Sequence, residues 1–188
     1  MARGVGGGGR GRIGGCATLR AELPRRTALV TGASTGIGRA AALELAKLGA
    51  QVGLHYSALQ AEAESLAGAI QRKGGRCHLL RADLTLPEAA ESLAREAVGR
   101  VGRMDVVVND AGGMLQRVDP ARVSLEFWRQ VFDLNVTSRF LLTRAFLPAM
   151  RERGWGGSST SAPLPRTRAA APAPAPATTR RPRRRCTR

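Results

Sequence analysis

The chain has 188 residues and a formal net charge of +16, which comes from 30 lysines and arginines against 14 acidic residues. Its hydrophobic share of 43% can supply a folded core, which excludes a wholly disordered chain. The glycines follow no three-residue period, so a collagen-like helix is excluded. The three cysteines lack the spacing of a disulfide scaffold or of a metal site.

The excess positive charge lies mostly at the two ends of the chain. Residues 1–26 carry six arginines and one glutamate, residues 158–188 carry eight arginines and no acid, and 27–157 carry sixteen basic and thirteen acidic residues. Neither end has a periodic apolar face, so we expect disordered tails over 1–26 and 157–188 around one domain over 27–156. No stretch has the apolar composition of a secretory signal or of a membrane helix, and we expect a cytoplasmic protein without a membrane partner.

Strand and helix patterns alternate in the first half of this domain. An apolar strand is predicted over 27–31, and a helix follows over 37–48 and ends at Gly49. A second strand is predicted over 52–56. The helix after it, over 58–73, repeats apolar residues on one face.

The same alternation continues in the second half. A third strand is predicted over 76–82, and Thr85 is the expected cap of a helix that has Pro87 in its first turn. A strongly β-forming strand is predicted over 104–109, and a last helix over 124–153. Strands separated by helices of this length predict an α/β fold with a Rossmann-type, doubly wound parallel sheet.

A glycine-rich loop, Thr-Gly-Ala-Ser-Thr-Gly-Ile-Gly over 31–38, separates the first strand from the first helix. Gly32 permits the tight turn, Gly36 lets the backbone approach a pyrophosphate, and Gly38 lets the helix pack closely on the strand. The free N–H groups and the dipole of the helix start then face the phosphates. This context favours a dinucleotide site over a chance glycine-rich loop.

This loop and three later motifs resemble the short-chain dehydrogenase/reductase family, whose glycine motif is spaced TGxxxGxG. An Asp-Leu pair at 83–84 follows the third strand, where the family places an aspartate that contacts the adenine. An Asn-Asp-Ala-Gly run over 109–112 follows the fourth strand and departs from the family's Asn-Asn-Ala-Gly at Asp110. Asn135 matches the helix asparagine of the family's Asn-Ser-Tyr-Lys tetrad, and the nearest resemblance is to bacterial 3-oxoacyl-[acyl-carrier-protein] reductases.

The resemblance implies an NAD(P)-dependent oxidoreductase that moves a hydride between its cofactor and a small carbonyl or alcohol substrate, with 3-oxoacyl thioesters as one substrate class. It also implies a set of cofactor contacts. These residues are Gly32, Ser34, Thr35, Gly36, Ile37, Gly38, Tyr56, Ser57, Asp83, Leu84, Asn109, Ala111 and Gly112. The second strand does not end in the carboxylate that NAD-selective sites place against the ribose 2′-OH, so NADP(H) is favoured over NAD(H).

The proton-transfer part of the family's tetrad is absent from the sequence. The family would place Tyr-x-x-x-Lys near 170–180, where this chain has an Ala-Pro repeat. The only tyrosine is Tyr56, and the residue four positions later is Gln60. Without a general acid, little turnover is expected.

Three serines, Ser158, Ser159 and Ser161, lie near the expected position of the catalytic serine. Because no strand is recognisable around them, the serine role is assigned to none of them, and Asn135 is the only tetrad member carried over. We therefore expect a family member that is truncated or frame-shifted after about residue 156.

The missing part also affects the fold and its partners. The family's sheet has seven strands, so an incomplete sheet is expected here, with 106–108 as an exposed apolar edge. Homo-oligomers are implied for the intact family. The last helix of this chain would lose the neighbour helix with which family members usually dimerise.

Two other functions remain open. One is a catalytically inactive fragment that holds NADP(H) without turnover. The other is a polyanion-binding protein that uses the arginine run over 180–185 on phosphates. The tail has no aromatic residue to stack on bases, so nucleic acid is the less favoured partner.

Some single residues are given structural roles instead of catalytic ones. His55 and His78 are predicted as half-buried strand residues and not as catalytic bases. Phe127 and Trp128 are predicted to face a core or a partner helix, and Cys77 is predicted as a small buried apolar residue.

Overall fold

The computed structural model describes residues 23–161, in which parallel strands are joined by helical crossovers. The strands are β1 (Thr27–Thr31), β2 (Gln51–Tyr56), β3 (Cys77–Arg81), β4 (Val106–Asn109) and β5 (Gly157–Thr160). The helices are α1 (Gly36–Lys47), α2 (Gln60–Gln71), α3 (Pro87–Val101), α4 (Leu125–Phe132) and α5 (Ser138–Glu152). A 3₁₀ turn (Pro120–Arg122) precedes α4, and a π-helical turn (Asp133–Thr137) joins α4 to α5.

The five strands form one parallel sheet in the order β3-β2-β1-β4-β5. The chain moves outward from β1 to β3 on one side and then returns to place β4 on the other side of β1. Neighbouring crossovers therefore diverge at the carboxyl ends of β1 and β4, which is where open α/β sheets bind ligands. The prediction of a Rossmann-type α/β sheet is confirmed.

Helices cover both faces of the sheet, because adjacent residues of a buried strand point to opposite sides. Val30 packs with apolar residues of β2, α1 and α2, including Leu54 and Leu66. Its neighbour Leu29 packs on the other face with residues of α3 and α5, including Leu93. The two cores fix the ends of β1 and β4 relative to the start of α1.

The fifth strand differs from the sequence prediction. Gly157–Thr160 pairs with β4, from Val106 opposite Gly157 to Asn109 opposite Thr160. The expected apolar edge at 106–108 is therefore wrong, because β5 covers it and Val107 is fully buried. The prediction of a disordered tail over 157–188 is wrong for residues 157–160, which form β5. Its remainder from 162 on, like residues 1–22, lies outside the described residues.

The start of one predicted helix and the continuity of another also differ from the predictions. Helix α3 begins at Pro87 with Leu86 as its N-cap, because the Thr85 hydroxyl instead donates to the Asp83 carboxylate at 2.7 Å. The predicted helix over 124–153 is divided by the π-helical turn, and Ser124 caps its start by accepting from the Phe127 N–H.

The helical region from α4 to α5 also leaves apolar side chains on the surface. The Trp128 side chain is 59% exposed, so the prediction that it faces a core is wrong for the described part of the chain. The alternative, a partner helix, stays a prediction. Across residues 23–161, none of the helices combines the length and the apolar character that crossing a membrane requires.

Candidate functional site

A cleft of about 770 Å³ lies at the point where the crossovers diverge. Its volume falls in the range of ligand pockets. The predicted cofactor contacts that line it are Gly32, Ser34, Thr35, Gly36, Ile37, Tyr56, Ser57, Asp83, Leu84, Ala111 and Gly112. Gly38 and Asn109 lie behind this lining, in the first turn of α1 and at the buried end of β4. The structure thus brings together residues that are up to 80 positions apart in the sequence.

The loop between β1 and α1 leaves backbone open to this cleft. Gly36 has a φ of +60°, and a Cβ added there would meet nothing within 4 Å. Thr35, the N-cap of α1, makes no hydrogen bond from its side chain to the helix start. Free N–H groups at a helix start attract anions, so this loop fits the diphosphate of a dinucleotide.

The loop is held against the turn that follows β4. A Cβ on Gly32, whose φ is +66°, would lie 2.9 Å from the Ala111 nitrogen, so only glycine fits this close approach. The backbone N–H groups of Asp110 and Ala111 both donate to the Thr31 hydroxyl at 3.0 Å. These contacts connect the end of β1 to the Asn-Asp-Ala-Gly turn.

His55 supports the loop from β2. Its imidazole Nδ1 accepts from the Gly32 N–H at 3.2 Å, and its Nε2 lies 3.2 Å from the carbonyl of Ala82. The side chain is fully buried and not half-buried as predicted, and burial lowers the pKa of His55 to about 4. A neutral ring that accepts at Nδ1 and donates at Nε2 satisfies both contacts. This supporting role could not be predicted from the sequence, because no local pattern links His55 to Gly32.

The pKa of His55 makes stability depend on pH in a defined direction. The folded pKa of about 4 lies below the ordinary value of 6.5, so the unfolded chain binds more protons between these values. The contribution of His55 is therefore complete above pH 6.5 and is lost as the pH falls through 4. We expect this loss to reach roughly 3 kcal/mol of unfolding free energy.

Urea unfolding at pH 7.5 and 4.5 measures this loss. The variant His55→Asn should show a smaller difference between the two pH values than the original chain. His78→Asn is the matched control, since His78 is only partly buried and contacts the Gln51 side chain. An unchanged pH dependence in His55→Asn would contradict the assignment.

At the far end of the cleft, the last residues of β2 carry no carboxylate. Tyr56 and Ser57 line the cleft there, and the first acidic residue is Glu62 in α2. Arg39 is not among the residues that line the cleft, but its guanidinium donates to the carbonyl of the lining residue Ser34 at 3.4 Å and to the Glu62 carbonyl at 2.9 Å. The local sequence pattern assigns Arg39 no role, because only the folded chain brings its guanidinium next to the Ser34 carbonyl.

Asn135 lies in the π-helical turn, and its side chain forms hydrogen bonds to the loop that follows β4. Its amide donates to the carbonyls of Gly113 at 2.9 Å and of Val131 at 2.7 Å, and its Oδ1 accepts from the Gly113 N–H at 3.0 Å. π-Helical turns occur frequently at functional sites. The residue is therefore held by backbone groups beside the cleft.

The serines that follow Trp155 are not equivalent. The Ser158 hydroxyl accepts from the Asn109 amide at 3.1 Å and lies near Thr143, behind the cleft. The Ser161 hydroxyl donates to the Asp110 carboxylate, whose residue lines the cleft. The only tyrosine, Tyr56, lies at the end of β2, which is separated from β4 by β1.

Comparison with known proteins identifies relatives of this chain. The sequence profile of the short chain dehydrogenase family matches residues 26–158. An uncharacterized oxidoreductase of Methylorubrum extorquens is 39% identical over 137 residues, which cover 73% of this chain and 54% of that protein. A 3-oxoacyl-[acyl-carrier-protein] reductase of Synechocystis is 35% identical over 134 residues, which cover 71% and 54%. The chain spans about half the length of the curated relatives that it matches.

Two solved structures are also similar. A metagenomic short-chain oxidoreductase in complex with NADP has a TM-score of 0.68 at 32% identity, with 73% of this chain and 62% of that chain covered. An NADH-dependent reductase, A1-R′, responsible for alginate metabolism, has a TM-score of 0.67 at 31% identity, with 74% and 59% covered. These two proteins use different cofactors, NADP in the first and NADH in the second.

Proposed function

Because the chain belongs to the short-chain dehydrogenase/reductase family, we propose that its cleft binds NADP(H) and that it forms the cofactor-binding part of an oxidoreductase. One observation carries this proposal. The glycine loop leaves the start of α1 open to the cleft at Gly36, at the carboxyl ends of β1 and β4. When bound, NADP(H) accepts or supplies a hydride at its nicotinamide ring.

The lining residues divide into groups that suit the parts of the cofactor. The loop around Gly36 would hold the diphosphate through backbone N–H groups. Asp83 and Leu84 line the side that the adenine would occupy, and the turn at 109–112 lies beside Asn135 at the other end. Asn135 is the residue of the family's tetrad that this chain retains.

The preference for NADP(H) over NAD(H) rests on the corner at the end of β2. A carboxylate there would repel a 2′-phosphate, and Ser57 supplies none. Arg39 adds a positive charge next to the Ser34 carbonyl. Both features favour the cofactor that carries the additional phosphate.

We expect NADPH to bind the 188-residue chain about tenfold more tightly than NADH, which corresponds to about 1.4 kcal/mol. Calorimetric titration with each cofactor measures the difference. The variant Ser57→Asp should reduce the NADPH affinity and leave NADH binding nearly unchanged. Ser92→Asp, on the exposed side of α3, is the control for the added charge. Equal affinities in the original chain would contradict the preference.

A carbonyl or alcohol, with 3-oxoacyl thioesters as one class, is the proposed substrate of the intact protein. The relatives carry different substrate names, among them a 3-oxoacyl-[acyl-carrier-protein] reductase of Synechocystis and a glucose 1-dehydrogenase of Bacillus subtilis. A second candidate function is cofactor binding without turnover. It is favoured by the absence of Tyr-x-x-x-Lys anywhere in the sequence.

A homo-oligomer is proposed for the intact protein. The helical region from α4 to α5 exposes large apolar side chains spaced three or four residues apart, and such patches usually mark interaction sites. These residues are Leu125, Trp128, Phe132, Val136 and Phe140. The same spacing is typical of a face that packs against another helix.

A further inference from the structure

The Asp110 side chain places a negative charge in the cleft wall, where the resemblance predicts a neutral asparagine. Its Oδ2 accepts from the Gly38 N–H, in the first turn of α1, at 2.7 Å. Its Oδ1 accepts from the Ser161 hydroxyl, which fixes the carboxylate from the other side. The start of α1 is thus occupied in part by the protein's own anion, beside the Gly36 backbone that the diphosphate would contact.

A carboxylate at a helix start is favourable for the free protein but unfavourable for a second anion at the same place. A diphosphate at Gly36 would add further negative charge close to Asp110. A positive charge near Asp110 would therefore favour the binding of a dinucleotide in this cleft.

Arg139 is placed to supply that charge. It lies in the first turn of α5, and its Nη2 donates to the carbonyl of Ala111, the residue after Asp110, at 3.1 Å. Its Nε is buried without a hydrogen-bond partner among the described residues. Burial lowers the pKa of Arg139, and the charge of Asp110 acts in the opposite direction. Because Arg139 contacts the residue that follows Asp110, its positive charge lies near the Asp110 carboxylate.

We propose that Arg139 is a positioning residue that compensates the charge of Asp110, so that the cleft can accept the diphosphate of the cofactor. This inference rests on the proposed binding of NADP(H). It assigns Arg139 a role through charge and not only through its hydrogen bond to Ala111. It also explains how the departure from the family's pattern at Asp110 is compatible with cofactor binding.

Variants of the full chain separate charge from hydrogen bonding. Arg139→Gln retains a donor without the charge, and Arg139→Lys retains the charge. We expect Arg139→Gln to weaken NADPH binding roughly tenfold, a size typical of coupled neighbouring charges, and Arg139→Lys to stay within roughly threefold of the original chain. Asp110→Asn should restore most of the affinity lost in Arg139→Gln when the two are combined. Arg144→Gln, on an exposed part of α5, should leave binding unchanged.

Calorimetric titration gives the dissociation constants, and thermal unfolding without cofactor checks that each variant is folded. If Arg139→Gln weakens binding by the same factor in the Asp110→Asn background, or if Arg139→Lys loses as much as Arg139→Gln, compensation by charge is overturned. An unchanged affinity in folded Arg139→Gln overturns it as well. An original chain that binds neither NADPH nor NADH contradicts the proposed function and removes this inference with it.

Discussion

Replacing Gly36 by aspartate is expected to remove detectable binding of NADPH. The position has a φ of +60° and faces open space in the cleft, so the new carboxylate would enter the path of the diphosphate. Charge repulsion at short range and a strained backbone act together, and we expect the dissociation constant to rise at least about 100-fold. Titration calorimetry of the original and variant chains measures this change.

Gly74 offers a closely matched control. It also has a positive φ, +77°, and a Cβ added there would meet nothing within 4 Å. It lies just after α2, outside the cleft lining, so Gly74→Asp introduces the same charge and similar strain elsewhere. Comparable losses of NADPH binding in both variants would indicate a general effect on stability and contradict the placement of the diphosphate.

The 188-residue chain is expected to bind NADPH and yet to show almost no reduction of ketones or 3-oxoacyl thioesters. General acid–base catalysis contributes about 10²- to 10⁴-fold to rates, and the sequence has no Tyr-x-x-x-Lys to supply it. The rate of NADPH oxidation, followed by its absorbance with saturating cofactor, checks this expectation. Calorimetric titration under the same conditions must show that NADPH is bound, so that a loss of cofactor binding is not mistaken for a loss of catalysis.

Tyr56 provides the control for this second prediction. It is the only tyrosine, and it lies at the end of β2. Because Tyr56 also lines the cofactor cleft, the comparison is made at saturating NADPH, where any residual turnover should be the same in Tyr56→Phe as in the original chain. Vigorous reduction of a ketone by the original chain would contradict the prediction and would require a different proton donor.

The elements with a strong local pattern are the ones that the sequence analysis predicted. Helix α2 repeats apolar residues on one face, and β4 is a run of three valines, so burial and local preference agree. Strand β5 has no such pattern, since Gly-Ser-Ser-Thr contains no large apolar side chain. Its pairing depends on backbone hydrogen bonds to β4, which lies some fifty residues earlier and carries no signal in the local sequence.

The features of the candidate site also divide into those with a local sequence pattern and those without one. The glycine spacing over 31–38 indicates the loop directly, because each glycine meets a local steric requirement. The contacts that hold the loop connect distant residues, such as His55 with Gly32 and Asp110 with Gly38. Only the folded sheet brings these partners together, so their roles could not be predicted from spacing. The roles of the individual cofactor contacts stay predictions until binding is measured.

Amide NMR of the ¹⁵N-labelled chain during titration with NADPH shows whether NADP(H) binds at the switch between β1 and β4. We expect chemical-shift changes centred on the amides of Gly32, Gly36, Asp83 and Gly112, with little change at Gly74. Changes confined to the arginine-rich segment over 180–185 would instead indicate general polyanion binding. That result, or the absence of any change at saturating NADPH, would contradict binding at the switch between β1 and β4.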